Sequence, residues 1–228
     1  MGHPRGYQRW RHLAFLHWRV PVATLRPLVP AELAIDTYDG DAFVGIVPFT
    51  MEGVRPRWAP AMPGLSSFHE TNVRTYVHCD GRDPGVWFFS LDAANRIAVW
   101  AARTFWNLPY HHARMSLEVG AGATRYVSER RAGGAALRAT WRPTGSPAAA
   151  TPGTLEHFLA ERYFLYAPRS DGTLRRGQVH HAPYPLQAAT IDDGWDESLL
   201  AAAAIERPAG APLVHCAAGV DVEVFGLQ

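Results

Sequence analysis

The chain has 228 residues, 47% of them apolar and 19% charged, with a net charge of +1 when histidine is neutral. That length and balance suit one domain over residues 1–228 with its own core, and the near-zero charge excludes the basic field of a nucleic-acid binder or of a protein held on an anionic membrane. All 22 basic residues are arginine, and a guanidinium forms no Schiff base with a carbonyl, so no lysine side chain carries covalent chemistry in this sequence.

The first patterned stretch, "HLAFLHW" (12–18), is a continuous apolar run and predicts a strand buried on both faces. "VATLRPLV" follows between Pro21 and Pro30 as a short helix or turn. Asp39-Gly40, flanked by β-rich runs, predicts a hairpin. The proline-rich stretch 54–68 cannot be a regular element and predicts a long loop, either covering a site or serving as a plain connection.

"ETNVRTYVHC" (70–79) alternates, with Val73, Thr75, Val77 and Cys79 on an apolar, core-directed face and Glu70, Asn72, Arg74, Tyr76 and His78 on the other. "GVWFFSL" predicts a buried strand. Asp92 is positioned to cap a following helix that turns Ile97, Trp100, Ala101 and Phe105 to one side and ends before Pro109. Period two then returns: His111, Ala113, Met115, Leu117 and Val119 share an inward face, and His112, Arg114, Ser116 and Glu118 face outward.

Beyond this, Ala132-Gly133-Gly134 predicts a second hairpin, and "TGSPAAATPG" a linker between halves. Thr154 caps a helix that runs into a strand, Pro183 and Pro185 break an extended segment, and short strands close the chain. Many antiparallel strands with a few helices make an α+β protein built around a sheet or barrel. No run of about eighteen apolar residues predicts a membrane-crossing helix. Two cysteines, Cys79 and Cys216, form no CxxC pair, and the expected setting is a soluble protein in the cytoplasm.

Eleven histidines invite a metal, but the HExxH and Cys-His finger spacings are absent, and neighbours such as His111-His112 and His180-His181 point to opposite faces of a strand. G-x-S-x-G and the glycine-rich phosphate loops are absent as well. No metal or cofactor is therefore expected. The remaining candidates are Arg11, Glu70, Arg74, Tyr110 and His111. One carboxylate, one imidazole and two guanidiniums suit an anionic oxo-acid, with arginine clamping the carboxylate and His or Glu moving a proton. The competing reading makes His111 a hydrogen-bonded core histidine and Glu70–Arg74 an ordinary strand-surface pair.

The order "WRHLAFLHWRVPVATLRPLVPAELAIDTYDGDAFVGIVPFTMEGVRPR", "SSFHETNVRTYV", "FFSLDAANRIAVWAARTFWNLPYHHARM", "LEHFLAERYFLYA" and "VHHAPYPLQAA" resembles the bacterial YqjF-like family, similar in fold to acetoacetate decarboxylase, over nearly the whole chain. The resemblance implies a mainly antiparallel β-barrel with an internal cavity, a few flanking helices and oligomeric assembly. Decarboxylases of that kind carry a lysine pair after a helix, in a Gly-Phe-Pro-Lys-Lys-like segment; the matching Leu108-Pro109-Tyr110-His111 puts Tyr110 and His111 at the two lysine positions. The resemblance also implies substrate-carboxylate and proton-handling roles for Arg11 and Glu70. The expectation is a lyase or isomerase acting on a small oxo-acid or enolisable carbonyl compound without an imine, with His111, Tyr110 and Glu70 catalytic and Arg11 and Arg74 binding substrate. The alternative is a non-catalytic binding or sensor protein using the same cavity. His180 and His181 are not assigned to that cavity.

Overall fold

The computed structural model describes residues 2–169, 171–192 and 195–226. Sheet carries the core: 54% of the structure is strand and 13% helix. In chain order the elements are β1 (Gly6–Val20), α1 (Val22–Leu25), β2 (Ala34–Ile35), β3 (Ala42–Pro56), β4 (Phe68–Cys79), β5 (Arg82–Ala93), α2 (Arg96–Trp106), β6 (Tyr110–Gly120), β7 (Ala123–Arg130), β8 (Ala136–Pro143), α3 (Leu155–Ala160), β9 (Phe164–Pro168), β10 (Leu174–His181), β11 (Leu186–Ile191), β12 (Asp196–Glu197), α4 (Leu199–Ala202) and β13 (Leu213–Phe225).

The pairings close on themselves twice. One circuit runs β13-β1-β3-β4-β5-β9-β10 and back to β13; the second leaves β5 through β6, β7, β8 and β11 and returns to β13. Most pairs are antiparallel, as the alternation predicts, but β5 pairs in parallel with both β6 and β9. A mainly antiparallel reading is thus only partly right, because β5 sits where the circuits divide.

Strands shared by the two circuits bury both faces. Leu13 and Phe15 of β1 pack in the first circuit with Val47, Phe49, Tyr184 and Val222, while Ala14, Leu16 and Trp18 pack in the second with Val44, Ile46, Tyr126 and Trp141. That is why "HLAFLHW" reads as an unbroken apolar run. A bulge interrupts β1: its register against β3 shifts between Arg11 and Leu16, and His12 has φ 53°. Gly219 lies opposite, with a Cβ position only 2.3 Å from the Trp10 carbonyl oxygen, so only glycine fits this approach. The bulge changes the parity of the strand, so that Trp10, not Arg11, joins the first-circuit core with Leu13 and Phe15.

Several local expectations change. Asp39-Gly40 makes a turn with a single Tyr38–Asp41 bridge, while β2 pairs with β4 instead of β3. The proline-rich loop is shorter than 54–68, because β3 runs on to Pro56. Cys79 is exposed, not core. The cap of α2 is Asn95, whose Oδ1 accepts from the backbone N–H of Ile97 and Ala98; Asp92 remains in β5. Ile97, Trp100 and Phe105 do share a side of α2, but that side is exposed. The final strands are one, β13, and residues 144–153 bridge back to β11 through Ala148 and Leu186. No helix among the described residues is long and apolar enough to cross a membrane.

Candidate functional site

Polar residues of β4 face the interior of the first circuit. Glu70 pairs with Phe49 of β3 and Ala93 of β5, and Glu70, Asn72, Arg74 and Tyr76 follow at every second position. All four are buried, so the face that alternation left polar lies inside the molecule and is no strand surface.

Tyr110 reaches this interior from the end of α2. Asn107 closes the helix in the left-handed conformation (φ 51°), a geometry asparagine tolerates. Pro109 then prevents any further helical turn, and its carbonyl accepts from the Leu91 N–H at 3.0 Å. This sets Tyr110 beside Leu91. The Tyr110 hydroxyl donates to Glu70 Oε2 at 2.7 Å. Burial pushes the Glu70 carboxyl up from the ordinary 4.5 to about 8, opposed by the Tyr110 hydrogen bond and aided by the Asp92 charge. Burial and the adjacent carboxylate hold the Tyr110 phenol well above its ordinary value.

Deeper in the same interior, Tyr76 donates its hydroxyl to the Leu159 carbonyl at 2.7 Å, and Arg74 Nη2 donates to the same oxygen at 3.2 Å. α3 thus plugs this end of the circuit. His17 Nε2 lies 2.6 Å from the Tyr76 oxygen. Because the phenol proton is already given to Leu159, His17 must donate from Nε2, which leaves Nδ1 as a bare acceptor. Burial pulls the His17 pKa well below its ordinary value, with the Arg74 charge second, so the ring is neutral. On the far wall Glu161 accepts from the Tyr163 hydroxyl at 2.6 Å and from the Tyr184 N–H at 2.9 Å. His181 sits against Tyr184 and Tyr163, with ring centroids at 4.6 and 4.8 Å. Four interior atoms, Asn72 Oδ1, Arg74 Nε, His17 Nδ1 and His181 Nε2, are buried without a hydrogen-bond partner among the described residues. At the rim, a cleft of 660 Å³ is lined by Tyr7, Gln8, Arg55, His181 and Val222, among others.

The structure therefore joins Glu70 to Tyr110 and puts Arg74 on their face of β4. His111 takes the opposite face of β6, beside Asp92 of β5. Asp92 and Arg130 form a buried pair there, with Nε donating to both carboxylate oxygens at 2.9 and 3.0 Å. Burial, then the Arg130 charge, lowers the His111 pKa, and Asp92 works against both. The inward face assigned to His111 by period two belongs to the second circuit; Glu70 lies in the first. Arg11 is turned out of the first-circuit core by the β1 bulge, and its guanidinium donates to the Val220 carbonyl at 2.8 Å and to Asp221 at 2.5 Å. Sequence reasoning passed over Glu161, Tyr163 and Tyr184, and left His181 unassigned. The available signal was parity: His181 pairs with Val222, a core residue, whereas His180 pairs with Glu223.

Comparison with known proteins gives a consistent picture. Residues 7–221 match the family model DUF2071, described as an uncharacterized conserved protein. The uncharacterized protein YqjF of Bacillus subtilis (strain 168) is 41% identical over 222 residues, covering 97% of this chain and 90% of that protein. Among solved structures, the enduracididine biosynthesis enzyme MppR complexed with pyruvate has a TM-score of 0.66 at 13% identity, over 100% of this chain and 91% of that one. An acetoacetate decarboxylase-like enzyme from Sphingomonas wittichii RW1 gives 0.66 at 13%, over 100% and 93%. Acetoacetate decarboxylase from Legionella pneumophila gives 0.61 at 14%, over 98% and 88%. At such identities the structural likeness is one of fold.

Proposed function

The chain belongs to the DUF2071 family, and from that premise we propose that the interior of its first circuit, a barrel-like chamber, binds a small oxo-acid or other enolisable carbonyl compound and moves a proton beside the carbonyl. The observation that carries this reading is the 2.7 Å hydrogen bond from Tyr110 to a Glu70 carboxyl held inside the protein. With a pKa raised to about 8, roughly a tenth of Glu70 is ionised at neutral pH. The ionised carboxylate takes a proton from the carbon next to the substrate carbonyl. The C–H electron pair becomes the carbon–carbon π bond, and the carbonyl oxygen takes the negative charge. Tyr110 donates to the Glu70 carboxylate before the transfer; once Glu70 carries the proton it donates that O–H to the Tyr110 oxygen, which frees the Tyr110 O–H for the developing enolate oxygen. Returning a proton to the same carbon completes an exchange of that hydrogen, or an inversion where the carbon is stereogenic. Arg74, with an unpartnered Nε on the same strand face, binds the substrate carboxylate.

No lysine is present to form the imine of a Schiff-base decarboxylase, and Tyr110 and His111 stand where that resemblance sets the lysine pair. Two structural neighbours support the substrate class: one is an enzyme complexed with pyruvate, the other an acetoacetate decarboxylase. The ligand enters by the rim cleft and the protein works in the cytoplasm. His111 and Arg11 lie outside this chamber and take no part.

The test is a proton NMR incubation in D₂O with 2-oxo and 3-oxo acids, following exchange of the hydrogens beside the carbonyl. Exchange is expected in the wild type and in His111→Ala and is lost in Glu70→Gln. Tyr110→Phe removes a hydrogen bond that favours the ionised carboxylate, so the rise of exchange with pH moves to higher pH. Exchange lost in His111→Ala and kept in Glu70→Gln would reverse the assignment. Saturable line broadening without exchange would replace the catalyst by a binding or sensor protein, a reading favoured by the four unpartnered interior atoms.

A further inference from the structure

We propose that His181 is a ligand-recognition residue that selects, among small oxo-acids, those carrying a hydroxyl or N–H group. The inference rests on reading the first-circuit interior as a ligand chamber. It does not need Glu70 to move a proton.

His181 Nδ1 lies 2.8 Å from the Ala182 carbonyl oxygen. A carbonyl oxygen only accepts, so Nδ1 carries the hydrogen. Burial lowers the pKa of the ring, and the neutral tautomer so fixed has a lone pair on Nε2. That atom is buried and has no partner among the described residues, in a side chain only 3% exposed. Buried acceptors are ordinarily paired, because leaving one unpaired costs its full desolvation.

The imidazole is held as a fixed acceptor. Tyr184, Tyr163 and Trp10 surround it with centroids at 4.6, 4.8 and 5.7 Å. Glu161 pins the Tyr163 hydroxyl and the Tyr184 backbone, and the Trp10 indole N–H is taken up by Gln8 Oε1 at 2.8 Å. None of these contacts uses Nε2. The complementary group is Arg74, nine-tenths buried, whose Nε has no partner and whose charge acts on both His181 and Tyr184. The interior therefore offers a cation and, within reach of its field, a neutral acceptor. A simple oxo-acid satisfies only the first. An oxo-acid with a hydroxyl or N–H satisfies both, which fixes its orientation as well as its affinity.

A matched pair tests this. 3-Hydroxypyruvate and 2-oxobutanoate differ by a hydroxyl in place of a methyl group and share the carboxylate and carbonyl. Calorimetric titration of the wild type should show at least about tenfold tighter binding of 3-hydroxypyruvate. His181→Phe, which keeps a flat ring and removes the acceptor, should erase that preference. Nitrogen-15 NMR of the wild type should show the His181 Nε2 resonance moving on saturation with 3-hydroxypyruvate and staying still with 2-oxobutanoate. If His181→Phe does not fold, the Nε2 resonance decides alone. Equal affinities in the wild type, an unmoved Nε2 signal at saturation, or no saturable binding of either acid would overturn the proposal. Selective binding without hydrogen exchange would remove the catalytic reading and keep this one; exchange without selectivity would do the reverse.

Discussion

Replacing Glu70 with Gln should change how stability depends on pH, by an amount that follows from burial alone. A carboxyl that titrates near 4.5 when exposed and near 8 in the folded protein binds more protons folded than unfolded between those values. Stability contributed by the protonated group is therefore fully present below the unfolded value and is lost as pH rises through the folded one. The slope is about 1.4 kcal/mol per pH unit, or about 5 kcal/mol over the whole interval, an upper figure that water entry reduces. Gln keeps the acceptor for Tyr110 and matches the protonated carboxyl in shape, so it removes the titration and little else. The histidines with lowered pKa, His17, His69, His111, His181 and His215, make stability rise with pH, but they do so equally in both proteins and cancel in the difference. Urea unfolding from about pH 5 to about pH 9 should show the variant gaining on the wild type by at least about 2 kcal/mol, with the gain levelling above about pH 8. Parallel curves, or a gain centred near the ordinary carboxylate range, would refute a buried protonated Glu70 and with it the proton transfer assigned to it.

Three further outcomes follow from the same packing. Asp92→Ala leaves Arg130 buried and unpaired and should cost about 3–5 kcal/mol in urea unfolding, most of it recovered when Arg130 is also made Met; additive losses would refute the pairing. Gly45→Ala sets a methyl 2.7 Å from the His17 ring and should cost about 1–3 kcal/mol while disturbing the Tyr76 bond; a neutral substitution would show slack in that wall. A chromogenic disulfide reagent should label exposed Cys79 in the native protein and reach Cys216, buried and with its thiol pushed up to about 11, only on unfolding; equal rates would contradict the burial.

Much of the fold was legible because period two and proline placement act locally. The Thr154 cap, the β7–β8 hairpin and the break at Pro183 and Pro185 lie where residue chemistry puts them. The second circuit was not legible. A strand buried on both faces by two different circuits gives the same apolar run as one inside a single sheet, and only pairing between distant segments distinguishes them. Nor does composition reveal that β5 runs parallel to β6 and β9, since parallel and antiparallel neighbours ask for the same side chains at a buried position. Cys79 was misplaced because alternation assigns a face without saying where the strand leaves the core.

For the site, parity explains what sequence reading reached and what it missed. Tyr110 and His111 are consecutive on β6, so a strand must send them to opposite sides. Each side is now occupied by a buried carboxylate: Glu70 for Tyr110, and Asp92, itself held by Arg130, for His111. Periodicity correctly found an inward face for His111, but in a two-circuit molecule both faces of a wall strand are inward. Arg11 shows the same ambiguity from a different cause, since one inserted residue at His12 exchanges the faces of everything before it. Counting from Leu13 and Phe15 gives Arg11 to the interior; the bulge gives that place to Trp10. A pair of adjacent polar residues on a shared strand therefore marks two candidate faces, and the two differ in whether their buried arginine already meets a carboxylate. Both faces keep buried atoms unpartnered among the described residues, Asn72 Oδ1, Arg74 Nε, His17 Nδ1 and His181 Nε2 on the Tyr110 side and Trp18 Nε1, Ser90 Oγ and Ser128 Oγ on the other, but Arg74 is hydrogen-bonded to the Leu159 carbonyl and not to a carboxylate. On the His111 side the Arg130 ion pair already neutralises the charge that a substrate would have to meet. The first face is therefore the one that suits the reading proposed for Glu70, in which a carboxylate takes a proton from a ligand held by hydrogen bonds and one guanidinium.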